Sequence, residues 1–131
     1  MQTCDTPLID AVWDGHADEV AALLSGGADA NKAKTDGSGI TPLIVACRVG
    51  HAEIATALIT AGAKVDQARD NGVTPLIVAC GTGHTEIAAA LITAGAKVDQ
   101  ARDDGATPLI VACDAGHTEI AAALIAAGAK V

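Results

Sequence analysis

The chain has 131 residues, half of them apolar, yet it carries one Trp, no Phe and no Tyr. That length suits one ordinary domain, and a core so poor in aromatic residues must come from elements that pack closely. A net charge of −8, from 8 basic and 16 acidic residues, disfavours charge-driven binding to nucleic acid or an anionic membrane. It mildly favours a basic partner, although acidic residues on a solvated surface need no partner at all. No run reaches the ~18 apolar residues of a membrane span, and the opening MQTCDTPLID lacks the basic and apolar regions of a signal peptide. The expectation is a soluble, intracellular, cytoplasmic protein that does not engage membranes.

The chain reads as four copies of one unit, over 6–40, 41–73, 74–106 and 107–131, in a single domain 1–131. The first copy opens at Thr6-Pro7 and is the loosest; it holds two extra residues in KTDGSGI, Lys34–Ile40. Its first helix carries Asp10 where the later copies have Val45, Val78 and Val111, and ends at Trp13 and Asp14. The second copy shows the unit most clearly. Thr41 is a good helix cap, and Pro42 suits the first helical position, where its missing N–H is no loss. The short helix PLIVACRV stops at Gly50, and a second helix follows in HAEIATALITA, with Ile54, Leu58 and Ile59 a turn apart. AKVDQARDNGV has no helical period, and Asn71-Gly72 signals a tight turn. The third copy matches the second at 27 of 33 positions, and Thr41, Thr74 and Thr107 open copies 33 residues apart. A fixed period of this length predicts a solenoid. Helices this short do not persist alone in water, so each copy needs a neighbour to cover its apolar faces.

The pattern G-x-TPLIVACxxGHxEIAxxLIxAGAKVD resembles the ankyrin repeat, and the resemblance covers essentially the whole chain. It implies an all-α ankyrin-repeat solenoid of stacked antiparallel helix pairs, with loops projecting as β-turn fingers. It also implies a concave groove, lined by fingers and first helices, that binds other proteins. Three departures stand out. The family's His after Thr-Pro-Leu is Ile9, Ile44, Ile77 and Ile110 here, which predicts apolar packing and puts a polar loop network in question. The Asp of Gly-Ala-Asp is kept at Asp29 but becomes Lys64, Lys97 and Lys130, and the second Ala of the first helix becomes Cys47, Cys80 and Cys113.

None of the tempting chemical groups makes a convincing centre. The three repeated cysteines form a column whose neighbours stand roughly 10 Å apart, the usual helix-packing distance. That exceeds the ~7 Å Cα limit for a disulfide, so they read as small buried apolar residues. Cys4 lies off the column as an exposed thiol, and free thiols fit a reducing compartment. His16, His51, His84 and His117 recur once per copy, which suits helix starts and inter-repeat hydrogen bonds better than a metal. Glu53, Glu86 and Glu119 suit helix N-termini better than acid–base catalysis, since an active site is not written three times over. No phosphate loop is present. The expectation is a non-enzyme with no cofactor and no bound metal.

Positions that differ between copies are the candidates for recognition. The ends of the first helices offer Trp13, Asp14, Arg48, Val49, Thr82 and Asp114, and the fingers offer Asp70, Asn71, Val73, Asp103 and Asp104. Trp13 beside Arg48 is the best local patch, because aromatic and Arg residues dominate interface hot spots; Trp13 could equally cover the open N-terminal end of the stack. Drifting positions on the second helices face outward. Repeat four keeps the internal pattern up to Val131, with Ile120, Leu124 and Ile125 expected to stay wet and to drive weak self-association through the C-terminal repeat. A fragment of a longer array, an engineered or sparsely capped array, and a face that meets another molecule all remain open. So do three functions: a protein-binding module, a structural or engineered scaffold without a specific partner, and an enzyme or metal protein.

Overall fold

The first helices of repeats two, three and four begin in the same way, each on a threonine that closes its own first turn. Thr41 Oγ1 accepts the Ile44 N–H, Thr74 Oγ1 that of Ile77 and Thr107 Oγ1 that of Ile110, all at 3.2 Å, with proline next in line. The computed structural model describes residues 7–34 and 37–130; Cys4, the Thr6 opening and Val131 lie outside them. Within them are helices α1 (Pro7–Asp14), α2 (Ala17–Ser25), α3 (Pro42–Val49), α4 (Ala52–Thr60), α5 (Pro75–Thr82), α6 (Thr85–Thr93), α7 (Pro108–Asp114) and α8 (Thr118–Ala126), and no strand. The odd helices pack side by side as one row and the even helices as another, and each pair packs within itself.

The second helices end on a shared device that explains the Ala-Gly-Ala landmark. In α4, Gly62 N–H bonds Ile59 O and Ala63 N–H bonds Leu58 O, both at 3.0 Å. This double closure needs a left-handed residue at Gly62, whose φ is 101°. It also folds the partly apolar loop back, so that Ala63 is buried. The second helices start at His16, His51, His84 and His117, none of which caps through its side chain. An acidic residue in each first turn favours the positive helix end instead.

The core is a line of leucines and isoleucines set among alanines. Leu58, Leu91 and Leu124 are fully buried, as are Ala46, Ala79 and Ala112 beside them. Burying one such leucine contributes about 1.5–3 kcal/mol. The isoleucines that replace the family's histidine pack as expected in the first three copies: Ile9, Ile44 and Ile77 are all buried.

Repeat four corrects the sequence reading in three places. Ile120 and Leu124, expected to be wet, are fully buried, and of that trio only Ile125 is exposed. Ile110 is 48% exposed, and Cys113 is exposed rather than a small core residue. The reason is direction. The Ile120 position is buried without any described repeat after it, while its counterpart in repeat one, Glu19, is exposed although repeat two follows. That position therefore faces backwards, and the Ile110 and Cys113 positions face forwards.

The three described cysteines are free thiols. Burial pushes the Cys47 thiol far above its ordinary range, with Cys80 nearby adding to the effect, and burial pushes Cys80 up to about 12. Since the thiolate is the reactive form, Cys113 should alkylate rapidly in the native protein at mildly alkaline pH. Cys47 and Cys80 should react only on opening. Mass spectrometry of peptides after timed iodoacetamide labelling checks this, and equal rates for Cys47 and Cys113 would contradict the packing.

Candidate functional site

The repeats join through three sets of contacts, and these fix what is left on the surface. In the first set, a side chain of one repeat accepts the backbone N–H of the next. Asn31 Oδ1 accepts from Lys64 N at 2.7 Å, Asp66 from Lys97 N at 2.9 Å and Asp99 from Lys130 N at 2.9 Å. Only the backbone of each lysine is needed, which explains why Lys can stand where the family has Asp. In the second set, the rings of His51, His84 and His117 each lie over the glycine that follows the first helix of the preceding repeat. A Cβ on Gly15, Gly50 or Gly83 would come within 3 Å of the rings of His51, His84 and His117. His84 Nε2 also lies 3.4 Å from the Arg48 carbonyl oxygen, as a donor in one tautomer. The histidines thus work between repeats more than at their own helix starts. The third set ties finger to finger: Asp70 N–H bonds Ser38 O at 2.7 Å and Asp103 N–H bonds Asn71 O at 3.0 Å. A polar loop network survives, carried by backbone rather than by histidine.

Finger geometry sorts the candidate residues. Each finger closes on itself, with Arg69 N–H to Val73 O and Arg102 N–H to Ala106 O, both at 3.0 Å. At the tip, Asn71 Oδ1 accepts the Val73 N–H at 3.2 Å, and Asp104 Oδ1 accepts the Ala106 N–H at 3.0 Å. Asn and Asp do the same turn-forming work there, so their alternation is explained by the turn. Arg69 Nε reaches Asp70 Oδ1 at 3.3 Å, and Arg102 Nε reaches Asp104 Oδ1 at 2.8 Å. The Arg102 hydrogen bond is the main cause that holds the Asp104 carboxyl below its usual range. Arg102 in turn is raised by Asp104 first and, more weakly, by Asp114 at the end of α7. Asn71, Val73, Arg102, Asp103 and Asp104 line a single shallow cleft between adjacent fingers. Sequence reasoning missed Arg69 and Arg102; an Arg one or two residues before an Asp in a turn was the available signal.

The helix-end candidates lie where solvent can reach them. Trp13 is 44% exposed, and Asp14, Arg48, Thr82 and Asp114 are exposed, while Val49 is half-buried. Thr82 is partly occupied, since its hydroxyl donates to Val78 O at 2.8 Å. With Arg69 and Arg102 opposing the finger carboxylates, the acidic excess is less concentrated in the fingers than the sequence implied. Much of it stands on the second helices, where Asp18, Glu53, Glu86 and Glu119 are exposed and no Lys or Arg occurs. Among the described residues no three His, Cys, Asp or Glu side chains converge as a metal site, and no helix is long and apolar enough to cross a membrane.

A family model described as ankyrin repeats (3 copies) matches residues 1–69 and 58–131. The chain belongs to the ankyrin-repeat family. Comparison with curated proteins gave no match. Ankyrin repeats are in general protein–protein interaction modules and typically not enzymes. In this ankyrin array the exceptions among the varying side chains are Asn71 and Asp104, held by their own turns, and Thr82, whose hydroxyl bonds Val78 O and reaches Cys47 O of the preceding repeat; most of the others are left free by the three sets of joints.

Proposed function

We propose that the protein binds a protein partner along the surface formed by the first-helix ends and the fingers, with Trp13 and Arg48 as its anchors. The observation that supports this most is the state of the varying helix-end positions: Trp13, Arg48, Gly81 and Asp114 are equivalent, all exposed, and chemically different in every copy. Asp103, Val73 and Arg102 supply the neighbouring finger cleft. The partner is basic in this reading, drawn by the net charge of −8, although the anchors themselves are not acidic. A reducing, cytoplasmic setting belongs to the same reading, supported by the free thiols.

The test uses the wild-type chain as bait, followed by calorimetry with each purified candidate. Trp13→Ala and Arg48→Ala should each weaken binding by about 1–3 kcal/mol, the hot-spot range. Thr82→Ala should cost less, because that hydroxyl is already engaged by Val78 O of its own helix and Cys47 O of the preceding repeat. Affinity should also fall with added salt. Unchanged affinity in both anchor variants, for a partner confirmed with purified components, would remove the groove assignment; salt-independent binding would remove only the electrostatic part.

A further inference from the structure

Among the varying helix-end positions, Gly81 is the one whose residue the fold does not require. It lies within α5 and does not carry the positive φ of the turn glycines. A Cβ there would meet only Val111 Cγ1, at 3.4 Å, within van der Waals range. A side chain would therefore fit, and a helical glycine is less stable than alanine. Its surroundings are apolar and open. Val78 lies three residues before it, on the same face of α5, and Val78 and Val111 are both half-buried where their counterpart Val45 is buried. On either side stand opposite charges. α5 packs between α3 and α7, so Arg48 lies one repeat behind Gly81 and Asp114 one repeat ahead. Arg48 and Gly81 are exposed although each has a described repeat on both sides, so exposure belongs to this position of the unit.

An apolar floor with no side chain at its centre lets another main chain come close, a use to which glycine is suited. A guanidinium on one side and a carboxylate on the other select what lies there by the order of its charges. Neighbouring helices pack at roughly 10 Å, which sets the two charges about 20 Å apart. An extended chain spans that distance in about six residues, at ~3.3 Å each. We propose that an extended polypeptide segment of the partner lies across Gly81, with a carboxylate on Arg48 and a basic side chain on Asp114 about six residues away. This docking mode rests on the protein-binding reading above and adds to it the conformation and charge order of what is bound. A partner that is basic overall fits both, since a single acidic side chain at Arg48 is all that is required.

The experiment selects random phage-displayed peptides of about 16 residues, long enough for an extended or a helical match, on the full chain. Enriched sequences are then synthesised and measured by fluorescence anisotropy. The expected result is a set of peptides with an acidic and a basic residue about six positions apart, always in the same order. The charge exchange Arg48→Glu with Asp114→Lys, both at exposed positions, should enrich the opposite order. Gly81→Gln should keep the helical circular dichroism and at least the urea midpoint of the parent, yet weaken the parent's peptides by about tenfold or more, as loss of a hot spot does. No enriched peptide, peptides lacking that separation (a helix at 1.5 Å per residue would need about thirteen residues), an order unmoved by the charge exchange, or full affinity in Gly81→Gln would each overturn the proposal. Binding of a whole partner that still depends on Trp13 would then leave the groove reading standing without this segment, whereas its independence of Trp13 and Arg48 would remove both.

Discussion

Leu91→Ala should destabilise the protein by about 3–5 kcal/mol, in the upper part of the range for removing a buried leucine. Leu91 is completely buried on α6, in the middle of the array. The buried residues of α6 and of its paired helix α5 include Ala88 and Ala79, and alanine has no rotamer with which to swing into a cavity. The lost volume therefore stays lost, and the cavity cost adds to the transfer cost. The effect should also spread, because in a stack each repeat is held by its neighbours and a weakened middle unit separates the two ends. Urea denaturation followed by circular dichroism measures it, with Ile125→Ala as the comparison. That exposed side chain should cost no more than about 0.5 kcal/mol, the usual surface range. Similar losses for the two substitutions would mean that the leucine line does not hold the array together.

Gly83→Ala should cost about 2–3 kcal/mol, while Gly116→Ala should cost only about 1 kcal/mol, the strain of a left-handed alanine. Both glycines end a Gly-His pair's first half and have similar φ values, 82° and 79°. They differ in what lies above them. A Cβ on Gly83 would sit 2.6 Å from His117 Cε1 and 2.8 Å from Nε2, whereas one on Gly116 meets nothing within 4 Å. The difference between the two substitutions thus isolates the seating of a histidine on the preceding repeat. Adding His117→Ala to Gly83→Ala should recover much of the excess, as coupled neighbours do in a double-mutant cycle. Equal costs at the two glycines would show that the ring moves aside freely and that the histidine column contributes little to stacking.

The repeat period, the paired helices and their threonine caps could all be read from the residues, because each follows from local chemistry repeated in register. The facing of the apolar side chains was harder. Ile54 and Ile59 are both apolar and both on α4, and nothing in the spacing says which one looks back and which looks ahead. Glu19 was the clue, since an exposed charge at the Ile54 position of the first repeat marks the side that points away from repeat two. Cys113 could not be distinguished from Cys47 by sequence at all; its neighbours within the repeat are almost the same, and it is exposed because no described repeat lies ahead of it. At the candidate site, exposure of the helix ends was legible from their variation. The pairing of Arg102 with Asp104 had a local signal, an Arg two residues before an Asp in a turn, whereas the weaker influence of Asp114 on Arg102 comes from the following repeat, which no local pattern encodes.

The carboxylate-to-backbone joints have a consequence for how such a chain changes length. Asp66 and Asp99 each serve the Lys N–H of the following repeat, and Asn31 does so for Lys64. Every whole unit therefore carries one acceptor to offer forwards and one donor to offer backwards. The two extra residues of the first copy do not disturb this, because its finger simply closes from Lys34 to Ile40 where the next closes from Arg69 to Val73. Unequal recombination between the nearly identical segments 41–73 and 74–106 would insert or delete a complete unit with both halves of its joints intact. Gene-level slippage is then structurally silent in steps of 33 residues and disruptive at most other lengths, so the array can be lengthened or shortened as a string of interchangeable parts.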